Sequence, residues 1–196
     1  LDQLGYQGQE VIPAMKAMSA DSQFLYPDTD EGRKAALEGY RAIFRETQPK
    51  LPSLFSHIPK GELRVEAVPD FRAKTSPMAY YEPGDLKGNR AGVFYVNMYN
   101  LKSHPKFAMA SLAYHEGIPG HHFQMELAQE NKNLPLFRKI ASFNAYVEGW
   151  ALYCEKLAFE YGWTTDLHSQ VGRLQFELMR AVRLVVDTGI HWKRWT

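Results

Sequence analysis

The pair Pro119-Gly120 restricts the fold of this chain most, because it stands in the middle of a segment that otherwise favours a helix. Residues 108–114 before it and 123–128 after it are mostly apolar helix formers. Proline lacks the N–H that would bind the carbonyl four residues earlier, and its ring clashes with that carbonyl. A helix interior loses about 3 kcal/mol or more in this way. The sequence therefore predicts an overwound or bulged helix here, stabilised by a further interaction.

The residues around this pair read His-Glu-Gly-Ile-Pro-Gly-His-His, from His115 to His122. The zinc-peptidase motif H-E-x-x-H places two histidines four residues apart on one helix face, and its glutamate acts on the attacking water. Here the next histidines come six and seven residues after His115. In a regular helix six residues turn a side chain by about 240°. A bulge at the Pro-Gly pair would bring His121 round to the usual position of the second ligand, with Glu116 as the predicted catalytic base.

Two interpretations of this octet stay open. It is a zinc site that carries a two-residue insertion, and the bound metal offsets the cost of the Pro-Gly pair. Alternatively, it is a chance histidine-rich turn around a structural kink that binds no metal.

A third ligand is available at Glu148, inside the apolar segment 143–155. An ionised carboxylate in so apolar a helix needs a partner or a metal. Glu148 follows His121 by 27 residues, which is enough for one helix to end and a second to pack back against it. Two histidines and one glutamate with an open fourth position are typical of catalytic zinc. The alternative is a structural, salt-bridged Glu148. Glu155, seven residues later on the same face, is predicted to support the ligands or to be a solvated charge.

Arg183, Asp187 and His191 are spaced by four residues near the end of the chain, so a helix would carry them on one face. A carboxylate such as Asp187 can orient a ligand histidine. Arg183 or His191 is suited to binding a substrate carboxylate or to stabilising an oxyanion. The alternative is a ladder of pairs that only stabilises the helix, by about 0.2–0.5 kcal/mol per pair.

Two further side chains are candidates beside the metal site. Tyr146 is an alternative to His191 as a group that supports the oxyanion. His122 is predicted to support the site or to pack.

The strings at residues 114–124, 147–151 and 183–191 resemble a large bacterial family of unknown function. Its members are zincin-like helical proteins, many of them assigned as lipoproteins or metallopeptidases, and they are distantly similar to zinc peptidases of the carboxypeptidase Taq and angiotensin-converting-enzyme type. Residues 94–97 also fit the family pattern, and the resemblance covers roughly residues 60–196.

This resemblance implies Zn²⁺ as cofactor, His115, His121 and Glu148 as ligands, and Glu116 as base. It also implies a periplasmic or cell-envelope lipoprotein, and a cytoplasmic location is the alternative. Family members are usually much longer, so we expect these residues to be a fragment of a larger protein.

Composition excludes several other classes. The hydrophobic fraction is 45% and the charged fraction 23%, as in ordinary globular proteins. The net charge of +1 and the lack of a basic cluster argue against a nucleic-acid partner. No apolar run reaches the roughly 18 residues of a membrane span. Cys154 is the one cysteine, so no disulfide can form within the chain.

The fold class that we predict is mainly α with a small antiparallel β-sheet, in a single zincin-like domain over residues 1–196. A helical lead-in occupies 1–60, a small β region 61–100 and a helical metal-site region 101–196. Predicted helices cover 4–20, 28–46, 106–130, 134–160 and 166–192, and predicted strands cover 63–68, 79–82 and 92–97.

Residues 93–97 are the predicted edge strand that would hold an extended peptide, and Tyr95 and Asn97 belong to it. An ordinary structural hairpin is the alternative.

The function that we predict is zinc-dependent hydrolysis of peptide bonds, with a peptide as substrate. The alternative is a zincin-like scaffold without catalysis, which serves as a binding or cell-envelope protein, because a fold and a motif do not establish turnover.

Overall fold

The computed structural model describes residues 1–196, of which 59% are helical. This confirms the prediction of a mainly helical chain with one small sheet. The helices are α1 (Val11–Ala20), α2 (Asp30–Thr47), α3 (Asp70–Ala73), α4 (Lys106–Glu116), α5 (His121–Glu130), α6 (Leu136–Ile140), α7 (Asn144–Glu160) and α8 (Leu167–His191). The strands are β1 (Leu63–Ala67), β2 (Ala79–Glu82) and β3 (Gly92–Val96).

The three strands form one sheet in the order β1-β3-β2. Strands β2 and β3 pair antiparallel across residues 83–91, as the sequence predicts, but β1 pairs with β3 in parallel. The sheet is therefore mixed, and the prediction of a purely antiparallel sheet is wrong. Helix α3 and strand β2 intervene between β1 and β3, so the chain crosses over before it adds β3 beside β1 in the same direction.

Strand β3 lies in the middle of the sheet, so the prediction that residues 93–97 form a peptide-binding edge is wrong. The ring of Tyr95 packs on Tyr80 of the neighbouring strand, with their centroids 5.2 Å apart. The Asn97 amide donates to the carbonyl of Ala73 at 2.7 Å and to two further carbonyls of the loop before β2. Both residues therefore hold the sheet and its connecting loop together.

The open edge of the sheet is β2. On the opposite edge, Arg41 of α2 donates to the Val65 carbonyl of β1 at 2.8 Å. The backbone N–H of Asn97 donates to the carbonyl of Met78, in the register that continues through β2. Because hydrogen-bonded and non-hydrogen-bonded pairs alternate in an antiparallel ladder, the N–H and C=O groups of Ala79 and Tyr81 point away from β3.

Helix α4 passes through the centre of the molecule and is buried along almost its whole length. It packs against α2, α7, α8 and the edge strand β2. The principal core joins this helix to the sheet; within it the rings of Tyr40 and Phe94 meet edge to face at 5.1 Å. None of the helices combines the length and the apolarity needed to cross a membrane.

Three predicted helices are shorter than the sequence indicates. Residues 106–130 do not form one bulged helix, because α4 ends at Glu116 and α5 begins at His121. In the lead-in only α1 is α-helical within residues 4–20, and residues 141–143 separate α6 from α7. The first break has a clear physical reason, since Pro119 has no N–H to continue the ladder of α4.

The four residues of this break, 117–120, fit tightly against the end of α4. The Ile118–Pro119 peptide bond is cis. A side chain on Gly120 would overlap the carbonyl oxygens of Tyr114 and His115, so glycine alone fits there. The carbonyl of Gly120 then accepts the N–H of Gln124 at 3.0 Å and starts α5.

Candidate metal centre

The structure brings together the side chains of His115, His121 and Glu148, one from each of three helices. One potential ligand atom from each lies within 4.8 Å of the others. His115 Nε2 is 3.4 Å from one Glu148 oxygen, and His121 Nε2 is 3.6 Å from the other. Both histidines are buried, while Glu148 is partly open to solvent.

This geometry comes from the break between α4 and α5. His115 lies in the last turn of α4, and His121 is the first residue of α5. Because the chain leaves helical geometry between them, their rings come within 4.8 Å of each other, at 83°. Helix α7 packs against both helices and adds Glu148 from its second turn.

Helix α7 also holds the break itself. The indole N–H of Trp150 donates to the carbonyl of Pro119 at 2.8 Å, and Cys154 Sγ lies 3.3 Å from the same oxygen. Trp150 follows Glu148 by two residues and Cys154 follows it by six. One helix thus fixes the loop that leads into His121 and supplies the carboxylate that faces it.

These three side chains fit a zinc ion. Two ligand atoms at about 2.1 Å from one tetrahedral ion are about 3.4 Å apart, close to both His–Glu distances here. Two imidazoles and one carboxylate are the donor set of catalytic zinc sites that keep an open position. The partial exposure of Glu148 gives that open position access to solvent.

A buried carboxylate and an arginine stand behind His115. Glu155 Oε1 lies 2.8 Å from His115 Nδ1, so this nitrogen donates to it and leaves Nε2 for a metal. Arg180 of α8 lies 3.0 Å from the same Glu155 oxygen and offsets its charge. Glu155 is therefore placed to orient a ligand, which is the first of the two roles predicted for it.

Sequence analysis missed Arg180, although a signal was present. Arg180 precedes Arg183 by three residues and Asp187 by seven, so it belongs to the same stripe of α8. The spacing of four residues identifies this stripe of α8, but spacing alone cannot show which turn of the helix packs against the site.

The charges of the cluster divide unequally between the two histidines. Burial opposes the imidazolium of His115, but hydrogen bonds with Glu148 and Glu155 outweigh this and raise its pKa to about 9. Burial and the nearby His115 cation lower the pKa of His121 to about 4. The hydrogen bond with His115 lowers the pKa of Glu148. Without a metal, His115 is therefore protonated at neutral pH, and its two ring N–H groups face the carboxylates of Glu148 and Glu155.

Glu116 is the last residue of α4 and is buried beside the cluster. Burial raises the pKa of its carboxyl group above the ordinary value, and the charge of Glu148 adds to this effect. The backbone N–H of Tyr81, on the open edge of β2, faces the same carboxyl group and acts against the rise. A carboxyl group with a raised pKa next to a potential metal site is suited to accepting and releasing a proton during catalysis.

His122 points away from the cluster and packs. Its Nδ1 lies 3.0 Å from the Tyr81 hydroxyl, which also approaches Glu126 Oε1 at 3.4 Å. Burial lowers the pKa of His122 to about 4, so its ring is neutral. This contact ties α5 to the edge strand β2.

The structure does not bring the remaining candidates to the cluster. Arg183, Asp187 and His191 lie on α8 beyond Arg180, and all three are exposed. His191 is 11 residues past Arg180, or about 16 Å along the helix axis. Tyr146 is 61% exposed and lies in the wall of a cavity beside α7.

Comparisons with known proteins identify one family and one similar solved structure. The family model for bacterial proteins of unknown function, DUF885, matches residues 1–196. A crystal structure described as a putative lipoprotein from Colwellia psychrerythraea superposes with a TM-score of 0.95 at 39% sequence identity. The match covers 99% of this chain but 33% of the Colwellia chain, so this chain spans about a third of that protein's length. No curated protein matches this chain.

Proposed function

This chain belongs to the bacterial family of unknown function DUF885, and from the chemistry of its buried site we propose that it is a zinc-dependent hydrolase of peptide bonds. The observation that carries the proposal is the convergence of His115, His121 and Glu148 beside Glu116. Three ligands and an adjacent buried carboxyl group match the needs of metal-assisted hydrolysis. A structural zinc site is instead closed by four protein ligands, whereas three converge here.

Each residue has a defined task in this proposal. His115, His121 and Glu148 would hold Zn²⁺, which when bound polarises a scissile carbonyl and makes water easier to deprotonate. Glu116 accepts the proton of the attacking water and passes it to the leaving amine. Burial raises the pKa of Glu116, which makes it a better proton acceptor than an exposed carboxylate. Glu155, held by Arg180, keeps the His115 ring in the orientation that exposes Nε2.

The open edge of β2 is our proposed position for the main chain of the substrate. Its Ala79 and Tyr81 direct unpaired main-chain groups outward, and the N–H of Tyr81 faces Glu116. An extended peptide could add to this edge as a further strand, beside the catalytic carboxylate. The edge-strand hypothesis thus moves from β3 to β2. His191 is left out of the proposal because its distance along α8 separates it from the cluster.

We also propose a cell-envelope location for the protein. The support is the lipoprotein description of its 39%-identical relative. Fractionation of cells that express the native gene tests this location, and recovery in the soluble cytoplasmic fraction alone would contradict it.

The replacement Glu116→Gln tests the catalytic proposal. It keeps the size of the side chain and removes its ability to accept a proton. We expect zinc content near one ion per chain in both proteins, by elemental analysis, and a loss of peptide hydrolysis of about 100-fold or more in the variant. Glu46→Gln changes an exposed glutamate of α2 in the same way and should keep full activity.

Two outcomes would overturn the mechanism. Unchanged hydrolysis in Glu116→Gln would show that another group serves as the base. A parent protein that binds zinc but cleaves no member of a quenched-fluorescence peptide library would instead be a non-catalytic metal-binding scaffold.

A further inference from the structure

A large apolar cavity adjoins the candidate metal centre. Its volume is about 900 Å³, within the range of roughly 300–1,000 Å³ that is typical of ligand pockets. Helices α5, α6 and α7 and the loop that follows β2 enclose it. Leu86, Phe137, Ile140, Phe143 and Val147 give its wall a mostly apolar surface.

The cavity begins within one helical turn of two proposed ligands. Gln124, Met125 and Ala128 line it from α5, and they follow His121 by three, four and seven residues. These spacings place them on the helix face that carries His121. On the other side Val147, the neighbour of Glu148, lines the cavity from α7.

The third side of the cavity continues the open edge strand. Residues 83–86, which follow β2 directly, form part of the wall. A peptide laid along the edge of β2 would therefore pass the candidate metal centre and lead one or more of its side chains into the cavity.

The charged side chains of the wall disfavour a basic ligand. Arg138 and Lys139 both line the cavity. The one acidic lining residue, Asp85, already accepts the N–H groups of Asn89 and Arg90. A side chain that enters here meets apolar surface and positive charge.

We propose that this cavity binds bulky apolar side chains of a peptide substrate. The inference rests on the proposed function for its choice of a peptide as ligand. It assigns the protein a preference for aromatic and large aliphatic residues, against lysine and arginine, next to the scissile bond.

Binding without turnover tests this inference separately from catalysis. Zinc-loaded Glu116→Gln protein would be titrated by calorimetry with acetyl-Ala-Ala-Phe-Leu-Ala-amide and with acetyl-Ala-Ala-Lys-Lys-Ala-amide. We expect the Phe-Leu peptide to bind at least about tenfold more tightly. Equal affinity for the two peptides would overturn the inference.

A variant of the wall locates the binding. Ala128→Phe fills the cavity and should weaken binding of the Phe-Leu peptide by about tenfold. Ala181→Phe, on the exposed part of α8, is the matched control and should leave binding unchanged. Zinc content and circular dichroism establish that each variant is folded.

The outcomes separate the two proposals. Selective binding that is lost in Ala128→Phe, in a protein whose parent hydrolyses no peptide, would support the cavity assignment and overturn the proposed catalysis. Hydrolysis by the parent together with undiminished binding in Ala128→Phe would overturn the cavity assignment alone.

Discussion

The break between α4 and α5 and the C-terminal half of α8 use the same kinds of side chain with different surroundings. At the break, His115 contacts Glu155, which in turn contacts Arg180. Along α8, His191, Asp187 and Arg183 repeat this set of a histidine, an acid and an arginine, but all three are exposed. The difference teaches that residue type and helical spacing nominate a set of groups, while packing decides whether they act together.

The largest contrast that we expect is in zinc binding. His121→Ala removes a ligand from the cluster, whereas His191→Ala removes a histidine that contacts none of it. Loss of a ligand should lower zinc affinity by more than about 100-fold, the upper figure for changes to groups that only support ligands. Competition with a chromogenic chelator measures both variants.

His191→Ala should bind zinc as the parent does. If instead His191→Ala lost zinc and His121→Ala kept it, the exposed set would be the metal site and the comparison would reverse.

The two arginines of α8 provide a matched pair for stability. Arg180→Met removes one of the two cations that contact the buried Glu155 carboxylate, and the other, protonated His115, remains in the metal-free protein. The loss of a hydrogen bond to a buried charged group should then cost about 1.5–3 kcal/mol. Arg183→Met should change the free energy of unfolding by less than about 0.5 kcal/mol. Urea unfolding of the metal-free proteins measures both, and similar values for the two would refute the difference in packing.

Much of this contrast could be predicted from the sequence, and part could not. Alternating apolar residues located β1, and two further segments that could pair across residues 83–91 located β2 and β3. Thr29 and Asp166 cap the helices that they precede, as their side chains favour. The sequence also predicted the three side chains that the structure brings together: His115 and His121 from the octet at the break, and Glu148 from the apolar segment 143–155. These features depend on residues that are close in the chain.

The features that the sequence did not predict depend on long-range packing. Which edge of the sheet stays open depends on the parallel addition of β1, 29 residues before its partner in β3. Arg180 lies in the middle of α8, whose first half packs against α4 at Gly172, whereas Arg183, Asp187 and His191 further along the helix are exposed. The alternation and spacing rules apply equally to both halves.

Zinc binding should depend on pH through the buried set. Without metal, His115 has a pKa of about 9, so it carries a proton at pH 7 that a metal must displace. Zinc loading should then release about one proton per chain, and affinity should rise about tenfold per pH unit up to pH 9. Calorimetry in two buffers of different ionisation enthalpy measures this release. A binding enthalpy that is independent of the buffer would show that metal-free His115 does not carry this proton at pH 7.

The smallest contrast concerns two tryptophans. Trp150→Phe keeps an aromatic ring near Phe55 but removes the N–H that binds the Pro119 carbonyl. Cys154 still approaches that oxygen as a weak donor, so the cost should be about 1 kcal/mol, that of one hydrogen bond. Trp192→Phe is the control, because Trp192 is 85% exposed at the end of α8 and should cost less than about 0.5 kcal/mol.

Zinc affinity gives this last pair a second readout. Pro119 lies two residues before His121, so a looser break should let the His121 ring move relative to Glu148 and weaken zinc binding in Trp150→Phe. Trp192→Phe should leave the affinity unchanged. A Trp150→Phe variant that lost stability but kept the parent affinity would show that the hydrogen bond to Pro119 supports the fold without positioning the ligand. In that case the geometry of the break would be set by Gly120 and its contact with the end of α4.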